Sequence, residues 1–210
     1  MKKIIQYLNE TIQNEKNKLI FVVIMFLTGL VLGSLFTNFL TSGDTNLLIN
    51  QVQTYFQSVK KLSGDVFGIN VFYSEIINNG LQLLIIFTLG ISMIGLPAVI
   101  LILFFKGFML GTTLSAIILK YQLKGVVGTF LYVFPCLIIN IMIYVLMSFF
   151  AVHASVKFLK ALLKKDNLNF KSFLGKYLLT FIICIILISI TCLIDAYLTP
   201  LLLKLFTFLI

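Results

Sequence analysis

The sequence predicts an all-α integral membrane protein with about five transmembrane helices, from its composition, its apolar runs and its lysine positions. Hydrophobic residues make up 60% of the 210 residues and charged residues 11%, whereas soluble domains average roughly 45–50% and about 25%. Several apolar runs approach the roughly 20 residues that a membrane-spanning helix needs. We therefore expect a single polytopic membrane domain over residues 1–210.

The first apolar run, residues 19–40, predicts the first transmembrane helix. It is long enough to span a bilayer and too long for the apolar core of a signal peptide, so we expect it in the mature protein. Residues 1–18 before it are polar, and they place Ile4, Ile5 and Leu8 at helical spacing. This pattern favours a short helix on the cytoplasmic surface of the membrane.

Residues 41–76 form the longest polar connection, which we expect on the outer side of the membrane. Apolar side chains recur within it at helical spacing, which predicts an amphipathic helix. The candidates for its partner-facing side are Val52, Tyr55, Phe56 and Val59. Such a helix lies on the outer leaflet, docks against a partner or caps the bundle, and the spacing leaves all three open.

The next apolar stretch, residues 77–119, contains one charge, Lys106. As a single helix it would be about 64 Å long, twice the ~30 Å of a hydrocarbon core. Gly95 and Pro97 supply a break, because proline disfavours the helical conformation in the residue before it. The two predicted spans are residues 77–95 and 97–119.

A polar turn at residues 120–125 precedes a fourth predicted span near 126–150, which we expect Pro135 to kink. A basic segment with six lysines follows at 153–176 and is expected in the cytoplasm. The fifth predicted span lies near 177–194.

Asp195 and Pro200 are expected to mark the end of the fifth helix, because proline interrupts the hydrogen bonding of a helix interior. The apolar tail at residues 201–210 is too short to cross a membrane. It lies in the interface or against the bundle.

The lysines test this span count independently. With five spans, ten lysines fall on the side of the amino terminus and five on the other, with Lys106 inside the membrane. Cytoplasmic loops carry an excess of lysine, so we expect the amino end in the cytoplasm and the carboxyl end outside. The net charge of +9 includes no arginine, which favours the lipid bilayer over nucleic acid as the partner of the basic residues.

Lys106 is the first candidate for a functional residue, since ionisable side chains inside a membrane are often functional. The structural alternative is a lysine stem that extends toward the interface. Asp195 is a possible partner, but the two backbones are expected to differ in depth by roughly 13 Å. We therefore expect no direct pair between Asp195 and Lys106.

Two small-xxx-small patterns are candidates for helix packing. Gly29 and Gly33 lie in the first span, and Gly107 and Gly111 in the third. Glycines at this spacing let two helices approach closely. We expect them to pack helices within one bundle rather than to form a dimer.

The sequence favours neither an enzyme nor a cofactor-binding protein. It contains no H-E-x-x-H, no G-x-S-x-G and no glycine-rich phosphate loop. With one histidine and three scattered cysteines, it also offers no ligand cluster at metal spacing. We expect no catalytic residues, no cofactor and no metal.

Three segments together resemble the stage II sporulation protein M family. The first is the run LGISMIGLP at residues 89–97, continued by FKGFMLG at 105–111, which includes Gly95, Pro97, Lys106 and Gly107. The other two are GLVLGS at 29–34 and IDAYLTP at 194–200. The length and the span arrangement are similar over essentially the whole chain.

The resemblance implies a function that composition does not show. Family members act in endospore-forming bacteria, when the mother-cell membrane engulfs the forespore. The resemblance implies a non-enzymatic scaffold in the mother-cell membrane that anchors two peptidoglycan-degrading partners, the stage II sporulation proteins D and P. The alternative is a small transporter or channel component that uses Lys106.

Overall fold

The apolar runs form long helices in the computed structural model, which describes residues 10–40, 44, 47–50, 54, 65–92, 95–133, 136–163 and 170–209. A bilayer offers no water to backbone polar groups, and a helix pairs those groups internally. The long helices are α1 (Lys16–Phe39), α2 (Asp65–Ile91), α3 (Gly95–Val133), α4 (Cys136–Leu162) and α5 (Phe170–Leu209).

Each of the five helices contains a stretch long and apolar enough to cross a membrane. These stretches are Lys16–Phe39, Phe72–Ile91, Gly95–Gln122, Leu137–Leu162 and Phe170–Leu198. The described residues contain no strand. The prediction of an all-helical protein with five candidate transmembrane helices is therefore confirmed.

Helix α4 is the centre of the bundle, since every residue from Met147 to Ser155 is buried. Its contacts define two ends. At one, called the Asp195 end, Asn140 of α4 bonds to Asp195 of α5. At the other, called the His153 end, His153 of α4 lies 3.6 Å from the carboxylate of Glu15, just before α1.

Helices α1 and α3 pack through their glycines. A Cβ atom added to Gly29 would overlap the carbonyl oxygen of Phe104, and one added to Gly33 would overlap that of Phe108. In the reverse direction, Gly107 and Gly111 lie against the α1 backbone at Phe26 and Leu30. The two patterns thus form one backbone-to-backbone contact within the bundle, which we call the glycine seam.

The break between α2 and α3 lies a few residues earlier than predicted. Helix α2 ends at Ile91 and α3 begins at Gly95, so Pro97 falls in the first turn of α3. A proline is tolerated there because the first amides of a helix have no partner within the helix. Gly95 is tightly packed, since an added Cβ atom would overlap the carbonyl oxygen of Leu89.

The fourth span was predicted at the wrong residues. Its crossing stretch is Leu137–Leu162 rather than 126–150. Gln122 has a non-helical backbone with φ of 50°, and Gly125 then lies against Ile117. The chain therefore folds back after Gln122.

The regions on either side of the fourth span change accordingly. One helix ends at Val133 and the next begins at Cys136, and Pro135, which was predicted to kink the fourth span, lies outside the described residues. The first part of the predicted basic segment, residues 153–162, belongs to α4. Lysines can be accommodated at the end of a membrane-spanning helix, because their long side chains extend the charge toward the interface.

The prediction that the fifth helix ends at Asp195 and Pro200 was wrong, because α5 runs from Phe170 to Leu209. Asp195 therefore lies within a helix rather than at its end. In membrane helices a proline is tolerated, since neighbouring groups and local adjustments satisfy the freed backbone atoms.

Candidate functional site

Polar side chains from four helices meet inside the Asp195 end of the bundle. We call this group the polar cluster. Its members are Glu75, Asn79 and Gln82 of α2, Lys106 of α3, Asn140 and Tyr144 of α4, and Thr191, Cys192 and Asp195 of α5.

Asn79 links three of these helices. Its side-chain amide donates to Glu75 Oε2 at 3.1 Å and lies 3.6 Å from Cys192 Sγ. Its side-chain oxygen accepts a hydrogen bond from the buried hydroxyl of Tyr144 at 2.9 Å. The Asn79 amide group thus contacts α4 and α5 while holding the carboxylate one turn away on its own helix.

Asn140 connects α4 to α5 through both ends of its amide group. Its nitrogen donates to Asp195 Oδ2 at 3.2 Å, and its oxygen accepts a hydrogen bond from the hydroxyl of Thr191. Asn140 and Thr191 are buried. An unpaired polar group in such a place is unfavourable by several kcal/mol, so the Asn140 amide is stabilised by these two partners on α5.

Lys106 reaches across from α3 to α2 and α4. Its ammonium group donates to the side-chain oxygen of Gln82, and it lies 3.5 Å from the centre of the Tyr144 ring. An ammonium group over an aromatic face is attracted by the negative ring surface. Gln82 and Tyr144 thus give the charge two contacts within the bundle.

A cavity of about 400 Å³ opens beside Lys106 on the flank of the bundle, between α2 and α3. Lys106, Gln82 and Thr113 are its polar lining residues. The apolar lining residues are Ile85, Ile102, Phe105, Met109 and Leu110. The charge of Lys106 is therefore accessible from the side of the bundle as well as bonded within it.

Asp195 and Lys106 belong to the same cluster, and each contacts helix α4. Asn140 of α4 contacts Asp195, and Tyr144, one turn further along α4, contacts Lys106. The structure thus places these two predicted candidates in one cluster, beside the same helix.

The contribution of α2 to the polar cluster was not predicted from the sequence. Glu75, Asn79 and Gln82 are spaced by four and three residues, which places them on one face of a helix. That spacing can be seen in the sequence. The predicted boundary at residue 76, however, placed Glu75 in the polar connection and the other two residues in the second span. The crossing stretch of α2 begins at Phe72, so all three residues lie on the same transmembrane helix.

The His153 end is held by hydroxyl groups that bond to the end of α2. Ser155 Oγ lies 3.0 Å from the carbonyl oxygen of Gly90 and 3.1 Å from that of Ser92, and Tyr177 donates to the carbonyl of Phe87 at 3.0 Å. The last carbonyls of a helix lack partners within it. Side chains of α4 and α5 supply those partners here.

The remaining predicted candidates are placed as follows. Gly29, Gly33, Gly107 and Gly111 form the glycine seam, and Gly95 and Pro97 lie in the first turn of α3. Pro200 lies within the backbone of α5. The four residues of the predicted outer helix, Val52, Tyr55, Phe56 and Val59, lie outside the described residues.

Comparison with known proteins finds a family match. Residues 22–200 match the family model described as Stage II sporulation protein M, and this range runs from α1 into the last part of α5. No curated protein and no solved structure matches the chain.

Proposed function

The chain belongs to the stage II sporulation protein M family, and we propose that it is a non-enzymatic scaffold that anchors cell-wall hydrolases during forespore engulfment. The family makes it a sporulation-related protein, and its five apolar helices make it a multi-pass membrane protein. The observation that carries the proposal is the extent of the family match, which includes nearly the whole helical bundle. The proposed partners are the stage II sporulation proteins D and P.

The polar cluster supports a scaffold because its groups bond to one another across helices. Hydrogen bonds between helices fix their relative positions, and a satisfied buried network makes one arrangement preferred over others. A protein that positions two partners needs such a defined arrangement.

The outward side of α1 offers a surface for partner helices. One apolar stripe runs along it, and each member is about half exposed. It consists of Ile20, Ile24, Leu27, Val31 and Leu35. Gly29 and Gly33 bind α3 on another side of the same helix, so α1 can contact α3 and a partner at once.

We place the amino end of the chain in the cytoplasm of the mother cell and the carboxyl end outside. The lysine distribution supports this direction. We expect the segment between the crossing stretches of α1 and α2, residues 40–71, to face the cell wall, where hydrolases act. The proposed contact regions for the partners are this outer segment and the stripe on α1.

Affinity purification from sporulating cells in mild detergent, followed by mass spectrometry, tests the proposal. We expect both hydrolases to be recovered with the tagged chain. Recovery of an ATPase or a soluble substrate-binding protein, with neither hydrolase, would contradict the scaffold function.

Two matched variants separate the candidate surfaces. Tyr55→Ser with Phe56→Ser alters the outer segment, and Leu27→Ala with Val31→Ala alters the stripe on α1. The surface whose variant lowers hydrolase recovery, at unchanged expression, is the docking surface. Deletion of the partners' own membrane segments should abolish recovery if the stripe is used and should leave it intact if the outer segment is sufficient.

Transport is a second candidate function, favoured by the cavity beside Lys106 and Gln82. The discriminating variant is Lys106→Met. A scaffold should retain its partners in co-purification, whereas a charge-dependent transporter should lose flux, measured as proton movement in proteoliposomes with a pH-sensitive dye. Unchanged partner recovery together with no proton flux in either protein would exclude proton transport through Lys106.

A further inference from the structure

A second cavity lies at the His153 end, where α2 ends, α4 ends and α5 begins. Its volume is about 270 Å³, and its lining residues are all apolar. They are Ile91, Phe158, Ala161, Leu162 and Phe170. Because the crossing stretches of α2, α4 and α5 terminate at these residues, the cavity lies at the boundary between hydrocarbon and headgroups.

Lysines border this cavity along the chain. Lys157 and Lys160 of α4 flank Phe158 and precede Ala161, and Lys171 directly follows Phe170. On a helix, residues three and four apart are neighbours on the surface. Lys157 therefore lies beside Ala161, on the strip of α4 next to the cavity.

Aromatic contacts shape this corner of the bundle. The rings of Phe158 and Phe170 stack with centres 5.1 Å apart, and Phe158 meets Phe173 edge to face at 5.5 Å. The Lys157 ammonium lies 5.0 Å from the centre of the Phe173 ring. The packing of α4 on α5 thus fixes the cavity wall and the position of one cation together.

Glu15 offsets part of the positive charge nearby. Its carboxylate forms an ion pair with Lys18 at 2.9 Å. Burial acts to raise the pKa of Glu15, but the hydrogen bond and charge of Lys18, with His153 and Lys160, lower it overall. Glu15 is therefore ionised at neutral pH and is already paired with Lys18, on α1.

An apolar cavity at the membrane boundary, bordered by cations, matches one kind of molecule in a bilayer. A phospholipid has an acyl chain for the cavity and a phosphate for the lysines, and basic sites between helices at this depth bind anionic headgroups. A zwitterionic phospholipid offers an acyl chain but carries no net charge, so the lysines favour an anionic phospholipid over it.

We propose that the cavity formed by Ile91, Phe158, Ala161, Leu162 and Phe170 binds one acyl chain of an anionic phospholipid, whose phosphate is held by Lys157, Lys160 and Lys171. The site would tie the ends of α2, α4 and α5 to the anionic leaflet. It does not depend on the hydrolase partners.

Native mass spectrometry of the purified full-length chain tests the site. Phosphatidylglycerol and phosphatidylcholine with identical acyl chains are titrated in parallel, and thermal unfolding is followed in the same samples. We expect retained phosphatidylglycerol and a rise in melting temperature, with a much smaller effect of phosphatidylcholine. Equal binding and equal stabilisation by the two lipids would overturn the proposal.

Variants assign the binding to this location. We expect Lys157→Gln with Lys160→Gln to weaken phosphatidylglycerol binding, at about fivefold per lysine. Ala161→Phe fills the cavity without altering charge and should lower binding of the acyl chain. The control is Lys120→Gln, because Lys120 is exposed at the opposite end of the bundle and should have no effect.

The remaining outcomes are also decisive. If the double variant fails to fold, the single variant Lys171→Gln tests the same site, because Lys171 is exposed at the start of α5. Undiminished preference for phosphatidylglycerol in Lys171→Gln, together with undiminished binding of both lipids in Ala161→Phe, would overturn the site. Stabilisation by inorganic phosphate alone, equal to that by phosphatidylglycerol, would show that the cavity takes no acyl chain.

Discussion

The glycine seam and the polar cluster hold helices together by opposite means. In the seam, α1 and α3 approach so closely that a single Cβ atom at Gly33 or Gly111 would overlap the other backbone. In the cluster, the side chains of Asn79, Asn140 and Tyr144 reach from one helix to another and bond there. The seam depends on the absence of side chains, and the cluster depends on their presence.

Both kinds of contact between helices follow from the fact that the surrounding solvent is a lipid bilayer. Lipid tails are as apolar as leucine, so burial of apolar surface gives little drive for helix association within a bilayer. Close packing of small residues and hydrogen bonds between helices are the two remaining means. The first is sensitive to added volume, and the second is sensitive to the loss of one partner.

The largest expected effect comes from adding volume to the seam. Gly33→Ala places a methyl group against the backbone of Phe108, and backbone moves less readily than a side chain. We expect a destabilisation of about 1–3 kcal/mol, seen as a lower melting temperature and a lower yield of monodisperse protein.

Gly80→Ala is the matched control for the seam, since an added Cβ atom at Gly80 has no neighbour within 4 Å. Alanine has the higher helix propensity, so this variant should be neutral or slightly stabilising. Equal losses in Gly33→Ala and Gly80→Ala would mean that the seam is not a close contact.

An effect of similar size comes from removing one partner in the cluster. Asn140→Leu removes the amide that Asp195 and Thr191 share, and the loss of a buried hydrogen-bond partner is unfavourable by about 1–3 kcal/mol. We expect a lower melting temperature, with α4 and α5 less protected from hydrogen exchange at the Asp195 end. Asn78→Leu alters an exposed asparagine on α2 and should change stability by less than about 0.5 kcal/mol.

The smallest effect on stability is expected from removing a hydrogen bond inside the seam. The hydroxyl groups of Thr37 of α1 and Ser115 of α3 are hydrogen-bonded, with 2.6 Å between their oxygen atoms, so the seam contains a polar contact of the kind found in the cluster. A double-mutant cycle with Thr37→Ala and Ser115→Ala should give a coupling near 0.6 kcal/mol, the average for such bonds in membranes.

The control cycle pairs Ser115→Ala with Thr28→Ala, because the Thr28 hydroxyl bonds to the carbonyl of Met25 on its own helix. Its coupling should be close to zero. A coupling for Thr37 and Ser115 as large as the Asn140 effect would remove the distinction between seam and cluster.

The features predicted most accurately from the sequence are those that depend on a single segment of the chain. An apolar run of about 20 residues spans a bilayer whatever its neighbours are, so the number of candidate spans was predictable. The spacing of Gly29 and Gly33, and of Gly107 and Gly111, likewise marks a close-packing face on each helix. The composition alone identified a membrane protein.

The boundaries of helices were less predictable, because they depend on tertiary contacts. Pro97 and Pro200 were both read as helix breakers, yet one lies in a first turn and the other within α5. The break between α2 and α3 instead lies where Ser155 and Tyr177 satisfy the last carbonyls of α2. Those partners come from α4 and α5, distant in sequence.

The sequence by itself determined that the chain is a helical membrane protein of about five spans with glycine faces and one charged residue, Lys106, in a long apolar stretch. Only the tertiary structure decided which glycine faces meet, and that Glu75, Asn140 and Asp195 belong to one polar cluster. The physical reason is that hydrophobic length is a local property of a segment. A hydrogen bond between helices depends on depth and rotation, which the packing of the whole bundle sets.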